Sequence, residues 1–229
     1  MPSAPSGVPP TAVLLSGGLD SAVLLAREAA HQAVQPVYVS VGLAWEDDEL
    51  AIVDRLLAAP PLAGRVKALA RLAFSMRDVY TSSHWAVQGT PPAYDTPDED
   101  VYLAGRNIVL LAKAGVLCAQ LGLHRIVIGP LAGNPFPDAT PDFFASMART
   151  LSLGLAHPLT IDAPFADRHK SDVILIGREL GVPFDLTLSC MSPEGGGHCG
   201  RCSKCRERHD AFHEAGLPDP TIYATPPPR

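Results

Sequence analysis

The sequence predicts an α/β protein with a parallel, Rossmann-like sheet between two layers of helices. Short apolar runs rich in β-branched residues alternate with longer stretches of helical periodicity, an order typical of βαβ units. With 229 residues and 47% hydrophobic side chains, the chain can form one large core, which excludes an intrinsically disordered protein. A small, cysteine-rich helical element is expected after this domain, near the C-terminus.

Five short apolar runs predict the strands, and the longer stretches between and after them carry the apolar spacing of helices. The predicted strands are residues 11–15, 35–41, 66–72, 124–129 and 160–164. The predicted helices are residues 20–33, 46–59, 107–121, 142–155, 171–180 and 203–215. Two proline-rich stretches, residues 78–100 and 130–141, predict long loops, and the first of them includes one helical turn.

The 23 prolines also divide the chain, because they cluster in these loops and at both ends. We expect a disordered tail over residues 1–10 and an α/β domain over residues 11–181. A cysteine-bearing element over residues 182–219 and a second tail over residues 220–229 follow. Ligands of parallel sheets bind outside the carboxyl ends of the strands, so the loops after strands are the places to search for a site.

The charge balance and the hydropathy pattern restrict the partners of the chain. A formal net charge of −6 argues against coating a nucleic-acid backbone, so we expect no stable nucleic-acid binding. No basic-then-apolar leader and no apolar run of about 18 residues occurs, so we expect no membrane association and a cytoplasmic location. Low charge with high apolar content is compatible with a homodimer.

The segment Leu15-Ser16-Gly17-Gly18-Leu19-Asp20-Ser21 joins the first predicted strand to the first predicted helix. Its glycines allow a sharp turn with close backbone approach, and a helix N-terminus attracts anions such as phosphate. The alternative is a tight turn in which serine and aspartate only cap the helix. The strand before it, the helix after it and the hydroxyls on both sides favour an anion site. The segment is neither a Walker A loop nor the three-glycine dinucleotide motif.

This segment resembles the PP-loop of the ATP pyrophosphatase superfamily, whose members cleave ATP between the α- and β-phosphates and adenylate an acceptor oxygen. The resemblance implies an adenine nucleotide alpha hydrolase-like fold with ATP bound by the domain at residues 11–181. The serines and glycines of the loop would hold the pyrophosphate, and Asp20 would help to place Mg²⁺. The residues assigned to ATP in this way are Leu15, Ser16, Gly17, Gly18, Leu19, Asp20 and Ser21.

Four of the five cysteines lie close together near the C-terminus. Two overlapping Cys-x-x-Cys turns and one cysteine upstream supply four thiolates, a set that fits a closed, structural zinc site. An iron–sulfur cluster could use the same ligands, whereas disulfides do not suit the expected reducing compartment. The four candidate ligands are Cys190, Cys199, Cys202 and Cys205. The fifth cysteine, Cys118, falls in an apolar helix and is expected in the core.

The order of motifs resembles the 7-cyano-7-deazaguanine synthase family from residue 11 to about residue 213. Besides the loop and the Cys-x8-Cys-x2-Cys-x2-Cys pattern, the matching positions are Ala104-Gly105-Arg106-Asn107, Pro137-Asp138 and Lys170. The resemblance implies an ATP-dependent carbon–nitrogen ligase. Its substrates would be 7-carboxy-7-deazaguanine and ammonia, and its product the nitrile, a queuosine precursor formed through an adenylated carboxylate and an amide.

The same resemblance implies roles for residues outside the first loop. Gly105 and Arg106 would contact ATP, and Arg106 or Lys170 would neutralise charge on phosphate or on a developing oxyanion. The competing interpretations are a surface ion pair for Arg106 and a surface helix start for Lys170. Loop residues near the strand ends are candidates for the acceptor pocket, either stacking on a planar base or binding its edge. These candidates are Trp45, Phe136 and Phe143 for stacking, and Asn134 and Asp138 for the edge.

Two segments depart from the family pattern. Residues 40–46 keep only the glycine of the usual Tyr-Gly-Gln segment and lack the histidine behind it, and residues 131–138 are shorter than the usual substrate loop. Three further hypotheses therefore stay open. These are an enzyme acting on another deazapurine or carboxylate, a tRNA-modifying PP-loop enzyme, and a non-catalytic, zinc-stabilised regulatory protein. The sequence also leaves open whether the product serves tRNA, DNA or protein modification.

Overall fold

The structure is a computed structural model that describes residues 10–227 of the chain. The predicted tail at residues 1–10 lies almost entirely outside these residues. The strands are β1 Thr11–Leu14, β2 Val34–Ser40, β3 Ala70–Ala73, β4 Arg125–Val127 and β5 Thr160–Asp162. The helices are α1 Leu19–Ala29, α2 Glu46–Ala58, α3 Trp85–Gln88, α4 Arg106–Leu121, α5 Pro141–Leu155, α6 Lys170–Glu179 and α7 Ser203–Glu214. Short 3-10 helices cover Asp98–Val101, Pro137–Ala139 and Phe184–Leu186.

The five strands form one parallel sheet in the spatial order β3-β2-β1-β4-β5, which confirms the predicted Rossmann-like α/β fold. Thr11 of the central strand β1 lies opposite Val34 of β2 and opposite Arg125 of β4. Both faces of β1 are buried, since Val13 joins one apolar cluster and Leu14 the other. The strand order reverses between β1 and β4, so a crevice opens beyond their carboxyl ends.

Helices cover both faces of the sheet, as the predicted three-layer arrangement requires. On one face, side chains of α1, α2, α6 and α7 meet in a single buried cluster that includes Ile174 and Phe212. On the other face, α4 and α5 cover the strands through Leu111 and Phe144. Cys118 is fully buried in this second cluster, which confirms its prediction as a core residue.

The third strand lies later in the chain than predicted. The sequence predicts residues 66–72, but β3 covers Ala70–Ala73. The cause lies in β2, where Pro36 has no N–H to offer to the neighbouring strand. The Gln35 side-chain amide instead donates to the Ala68 carbonyl at 2.7 Å. Before this proline an isolated bridge joins Val34 to Val66, and regular pairing between β2 and β3 starts after it.

A third apolar cluster joins the long loop to the cysteine-bearing segment. The predicted loop at residues 78–100 is present, with α3 as its helical turn, and its Tyr80 packs in one buried cluster with the four clustered cysteines. In the predicted C-terminal tail, Ala224 donates a backbone hydrogen bond to the His198 carbonyl at 2.7 Å. The division into a domain, an element and tails stays a prediction. Within residues 10–227, no helix is both long and apolar enough to cross a membrane.

Gly177 allows α6 to pack closely against α1. An added Cβ would lie 2.6 Å from a ring carbon of Phe184 and 2.6 Å from a methyl group of Val23. We therefore expect Gly177→Ala to lower the free energy of unfolding by about 1–3 kcal/mol, because well-packed neighbours must shift. Gly154→Ala in α5 is the matched control, since nothing lies within 4 Å of its added Cβ. Alanine there should stabilise the helix by about 0.5–1 kcal/mol. Urea unfolding followed by circular dichroism measures both, and equal shifts would contradict the packing argument.

Candidate active site

A two-part cleft lies beyond the carboxyl ends of β1 and β4, where the strand order reverses. The apolar half has a volume of about 280 Å³ and includes Leu14, Val37, Val39, Leu110 and Ile128 in its wall. The charged half has a volume of about 360 Å³ and includes Asp98, Lys170, Lys204 and Glu207 in its wall. The residues common to both walls include Ser16, Gly18, Asp20, Glu49 and Arg106. Two ligands bound in the two halves would therefore meet at this shared wall.

The loop between β1 and α1 forms part of the shared wall. Gly17 adopts a φ of +79°, and a Cβ added to it would lie 3.0 Å from a side-chain carbon of α2, so the position favours glycine. The Ser21 hydroxyl folds back into the loop, where it accepts a hydrogen bond from the Ser16 N–H at 3.2 Å and donates to the Gly18 carbonyl at 3.0 Å. α1 begins at Leu19 without a side-chain cap. Such an open helix N-terminus is suited to an anion.

Most of the residues predicted to contact ATP line the cleft. The loop residues in its wall are Leu15, Ser16, Gly18, Leu19, Asp20 and Ser21. Gly17 shapes the turn without lining the cleft. Gly105 is not in the wall either and precedes α4 with a φ of +76°. These two glycines act on the site through backbone shape.

Arg106 is the first residue of α4 and lines both halves of the cleft. Its Nε is buried and has no hydrogen-bond partner in the part of the chain that the structure describes. The competing interpretation, a surface ion pair, thus finds no partner among those residues. A guanidinium with a free buried donor beside a helix N-terminus is suited to an anionic ligand.

Lys170 begins α6, and its ammonium lies between two carboxylates in the charged half. Its Nζ is 3.1 Å from Asp20 Oδ2 and 2.5 Å from Glu207 Oε1. Burial alone would lower the pKa of Lys170, but the two carboxylates outweigh it and raise this pKa, so the ammonium stays charged. Only 13% of the Lys170 side chain is exposed, so the interpretation as a surface helix start is wrong.

Glu207 and Lys204 extend this ion-pair chain into α7, and the sequence analysis did not predict them as site residues. Glu207 Oε2 accepts a hydrogen bond from Lys204 Nζ at 2.7 Å. Burial would raise the pKa of Glu207, but Lys170 and Lys204 lower it to about 2. Their only signal in the sequence is a position within or just after the cysteine cluster, and that position does not reveal which way the helix faces.

Asp20 keeps one oxygen free for a ligand. Burial raises the pKa of this carboxyl group, and Lys170 opposes the shift. Oδ2 pairs with Lys170, whereas Oδ1 is buried and has no hydrogen-bond partner among residues 10–227. Carboxylate oxygens are the ligands that Mg²⁺ takes from proteins, so Asp20 fits the predicted magnesium role.

Glu49 is a second carboxylate of the shared wall that the sequence analysis missed. Its Oε2 accepts a hydrogen bond from the Tyr38 hydroxyl at 2.8 Å, and its Oε1 accepts one from Trp45 Nε1 at 3.1 Å. Burial raises the pKa of Glu49 to about 7, although Arg106 opposes the shift. The signal was available, because Glu49 lies one helical turn before Ile52 on the buried stripe of α2, where a charge is unexpected.

The raised pKa of Glu49 makes a stability prediction. In the folded state Glu49 keeps its proton up to about pH 7, whereas in the unfolded chain it loses the proton near pH 4.5. The stability that protonated Glu49 contributes is therefore fully present below pH 4.5 and is lost as the pH rises through 7. Glu49→Gln removes this loss. We expect the variant to gain roughly 2–3 kcal/mol relative to wild type between about pH 5 and pH 8 in urea unfolding. Asp48→Asn on the exposed face of α2 is the control, and parallel curves for wild type and Glu49→Gln would contradict the shift.

The aromatic residues predicted to stack on the acceptor already stack on other aromatic residues. Trp45 lies against Trp85 with ring centroids 5.9 Å apart, and Phe136 lies against Tyr102 at 5.0 Å. Trp45 lines the charged half, and Phe136 lines both halves. The third candidate, Phe143, is absent from the cleft walls and packs at the edge of the core.

The polar residues predicted to bind the acceptor edge also make contacts within the chain. Asn134 lines both halves, and its side-chain oxygen accepts the Phe136 N–H at 2.9 Å. Asp138 is buried in the wall of the apolar half and accepts hydrogen bonds from the Asn107 backbone and side chain at 3.2 and 3.3 Å. Asp138 therefore also fixes the start of α4. Contacts of these residues with a substrate stay a prediction.

The four clustered cysteines form a cage that could hold a metal ion such as zinc. Their sulfur atoms all lie within 4.8 Å of one another, and the four side chains are buried. The closest pairs are 3.5 to 3.9 Å apart, close to the edge of about 3.8 Å that four sulfurs at 2.3 Å from one zinc ion would have. Backbone N–H groups of Ser192 and Cys199 donate to Cys190 Sγ at 3.3 Å. An iron–sulfur cluster would need room for its own iron and sulfide atoms, so the spacing favours a single ion.

The cysteine-bearing segment also holds the proline-rich loop over the charged half. Ala93 forms an antiparallel bridge with Cys202. Arg206 donates to the carbonyls of Tyr94 and Thr96 at 2.8 and 3.2 Å. The position of this loop therefore depends on the fold of the cysteine cluster.

Fold and site together define a Rossmann-like α/β protein with a small-molecule cleft, an anion-type loop at the strand switch point and a four-cysteine metal cage. The family model described as Queuosine biosynthesis protein QueC matches residues 11–216. The chain belongs to this family, which confirms the predicted resemblance, and it is an enzyme of queuosine precursor biosynthesis.

Individual relatives cover nearly the whole chain. The 7-cyano-7-deazaguanine synthase of Anaeromyxobacter dehalogenans is 35% identical over 93% of this chain and 94% of the relative. That of Methanothrix thermoacetophila is 32% identical over 92% and 96%, and that of Dechloromonas aromatica is 34% identical over 92% and 96%. The similarity therefore includes both the α/β domain and the cysteine-bearing segment.

Proposed function

We propose that this chain converts 7-carboxy-7-deazaguanine and ammonia into 7-cyano-7-deazaguanine, with ATP as the activating reagent. The observation that carries the proposal is the two-part cleft. Its anion-type loop lies in the wall shared by an apolar half suited to adenine and a charged half suited to a carboxylic acid. ATP and the acid would thus meet with the phosphates between them.

In this proposal ATP lies across the apolar half and the shared wall. The strand ends and α4 offer apolar side chains to the adenine ring. The loop at residues 15–21 and the N-terminus of α1 would bind the phosphates. Arg106, whose buried Nε lacks a partner within residues 10–227, supplies a positive charge beside them.

Asp20 would hold Mg²⁺ through its unpartnered buried oxygen. The ion supplies charge neutralisation on the phosphates when it is bound. Lys170 pairs with the other oxygen of Asp20 and opposes the rise of its pKa that burial causes, so this ion pair favours the ionised carboxylate that a cation needs.

The acid would occupy the charged half. Lys170 and Lys204 line it, both paired with Glu207, and Trp45 and Phe136 offer ring surface to a planar base. Asn134 and Asp138 remain our candidates for its polar edge. The proline-rich loop, held by the cysteine-bearing segment, contributes Trp85 and Asp98 to the wall of this half.

The reaction then follows from activation of a poor electrophile. A carboxylate oxygen bonds to the α-phosphorus and pyrophosphate leaves; ammonia then adds to the carbonyl carbon and gives up one proton, and AMP departs with the oxygen to give the amide. In a second round the amide oxygen bonds to the α-phosphorus of another ATP and a second pyrophosphate leaves. Loss of AMP with both N–H protons then gives the nitrile. Arg106 and Lys170 would stabilise negative charge that develops at the shared wall, and the loop would orient the phosphates.

The metal of the cysteine cage is proposed to be structural zinc, because all four ligand positions are thiolates and none is open to a substrate. The partners that we expect are the small-molecule substrates. The absence of stable nucleic-acid binding, the homodimer and the cytoplasmic location stay predictions.

The proposal is tested by incubating the zinc-loaded protein with ATP, Mg²⁺, ammonium and the acid, and by following AMP, pyrophosphate and the nitrile by mass spectrometry. We expect AMP release that requires the acid, with amide before nitrile. Asp20→Asn is the inactive control. AMP release without the nitrile would redirect the proposal to another acceptor, and no AMP release from intact protein would refute it.

A further inference from the structure

Glu49 occupies a position that packing alone does not explain. It lies in the wall common to both halves of the cleft, yet only 7% of its surface is exposed. Within residues 10–227 its hydrogen-bond partners are Tyr38 and Trp45, and it forms no ion pair there. Arg106 is near enough to oppose the rise of the Glu49 pKa but forms no ion pair with it in the described part of the chain, so the buried carboxylate costs the fold stability at neutral pH.

The neighbouring Glu46 shows what a purely structural carboxylate looks like in this helix. Its oxygens accept hydrogen bonds from the Val41 N–H at 2.7 Å and the Gly42 N–H at 3.0 Å, and also from the Ser40 hydroxyl. These donors lie at the last residue of β2 and in the loop after it, so Glu46 holds the start of that loop. Glu49 receives one donor on each oxygen, and a carboxylate offers about four acceptor positions. Two positions on Glu49 therefore remain for a ligand.

We propose that Glu49 is a specificity-determining residue that accepts two parallel hydrogen bonds from the deazaguanine base, one from its ring N1–H and one from its 2-amino group. This inference rests on the proposed function. Tyr38 and Trp45 hold the carboxylate from opposite oxygens, so its plane is fixed before the ligand arrives. The base edge and the carboxylate match as two adjacent donors and two adjacent acceptors.

The same carboxylate would reject the other base in the reaction. Adenine presents a donor at its 6-amino group beside an acceptor at N1, so one of the two carboxylate oxygens would face a lone pair. A buried polar group left without its partner discriminates strongly between similar ligands. Glu49 would thus keep ATP and the acid in their proper halves although both carry purine-like rings.

The test compares the acid with its analogue that lacks the 2-amino group, 7-carboxy-7-deazahypoxanthine. Calorimetry measures binding of each compound, and of ATP alone, to zinc-loaded wild type, Glu49→Gln and Asp48→Asn. We expect wild type and Asp48→Asn to prefer the acid over the analogue by about 100-fold, and Glu49→Gln to reduce this preference below about 10-fold. ATP affinity should change by less than about 3-fold.

Tyr38→Phe provides a second variant, since it removes the hydrogen bond that holds Oε2, together with a longer one to the Glu46 carbonyl at 3.5 Å. We expect a smaller loss, about 5–10-fold, again for the acid more than for the analogue. Equal losses for both compounds, or unchanged binding of the acid, would overturn the inference. A loss of ATP affinity would overturn it as well, by assigning Glu49 to ATP. If wild type binds neither compound, the proposed function fails instead.

Discussion

Cys202→Ala should release the bound metal and unfold the C-terminal element, whereas Cys118→Ala should do neither. Both cysteines are buried, at 1% and 0% exposure, but only Cys202 belongs to the four-sulfur cage. Metal binding in small structural zinc sites contributes on the order of 10 kcal/mol to folding, and three thiolates cannot complete a tetrahedron. We expect a fall in the melting temperature of more than about 10 °C for Cys202→Ala. For Cys118→Ala we expect about 1 kcal/mol from a small cavity.

The measurement combines metal analysis of the purified proteins with thermal unfolding. Cys202→Ala should retain less than about 0.1 zinc per chain and lose activity, because the bridge from Ala93 to Cys202 holds the loop over the charged half. Wild type and Cys118→Ala should each retain one ion. Full metal content in Cys202→Ala, or metal loss in Cys118→Ala, would contradict the assignment of the cage.

The fold was largely predictable because its signals are local. The helices lie within a few residues of their predicted bounds, since apolar spacing of three to four residues is read from one segment at a time. The third strand was misplaced for a non-local reason. Val66 pairs with Val34, but residues 67–69 do not continue the strand, because Pro36 of the neighbouring strand lacks an N–H toward that edge.

The residues of the candidate site also differ in whether their signals are local. The loop at residues 15–21 and the four cysteines were predicted because short spacings in the sequence identify them. Glu207 was not found, because its role depends on how α7 docks beside α6 and brings a carboxylate to Lys170. Glu49 was missed although it has a local signal. It interrupts the apolar stripe of α2, and a charged residue at such a position could have identified it.

Asp20→Asn should abolish activity without harming the fold, whereas Lys170→Met should harm both. Asp20→Asn removes a carboxylate whose ionised form burial already disfavours, and it leaves Lys170 paired with Glu207 at 2.5 Å. We therefore expect kcat/KM to fall by at least about 1,000-fold, while the free energy of unfolding stays within about 1 kcal/mol of wild type. In Lys170→Met two carboxylates face each other without their shared cation. We expect a similar loss of activity together with a loss of about 3–5 kcal/mol of stability.

Comparing Asp20→Asn with Lys170→Met separates the effect of the ion pair on catalysis from its effect on folding, because each variant removes one of its two partners. AMP release gives kcat/KM, urea unfolding gives stability, and Lys67→Met at an exposed lysine controls for the loss of a charge. The stability of Glu207→Gln should lie between the stabilities of Asp20→Asn and Lys170→Met. This substitution leaves the ion pair of Asp20 and Lys170 intact at 3.1 Å and removes only the carboxylate that α7 adds to it. If Asp20→Asn keeps activity within about 10-fold, Asp20 is not in the catalytic machinery. If it destabilises the protein as much as Lys170→Met does, the ion pair serves the fold rather than the reaction.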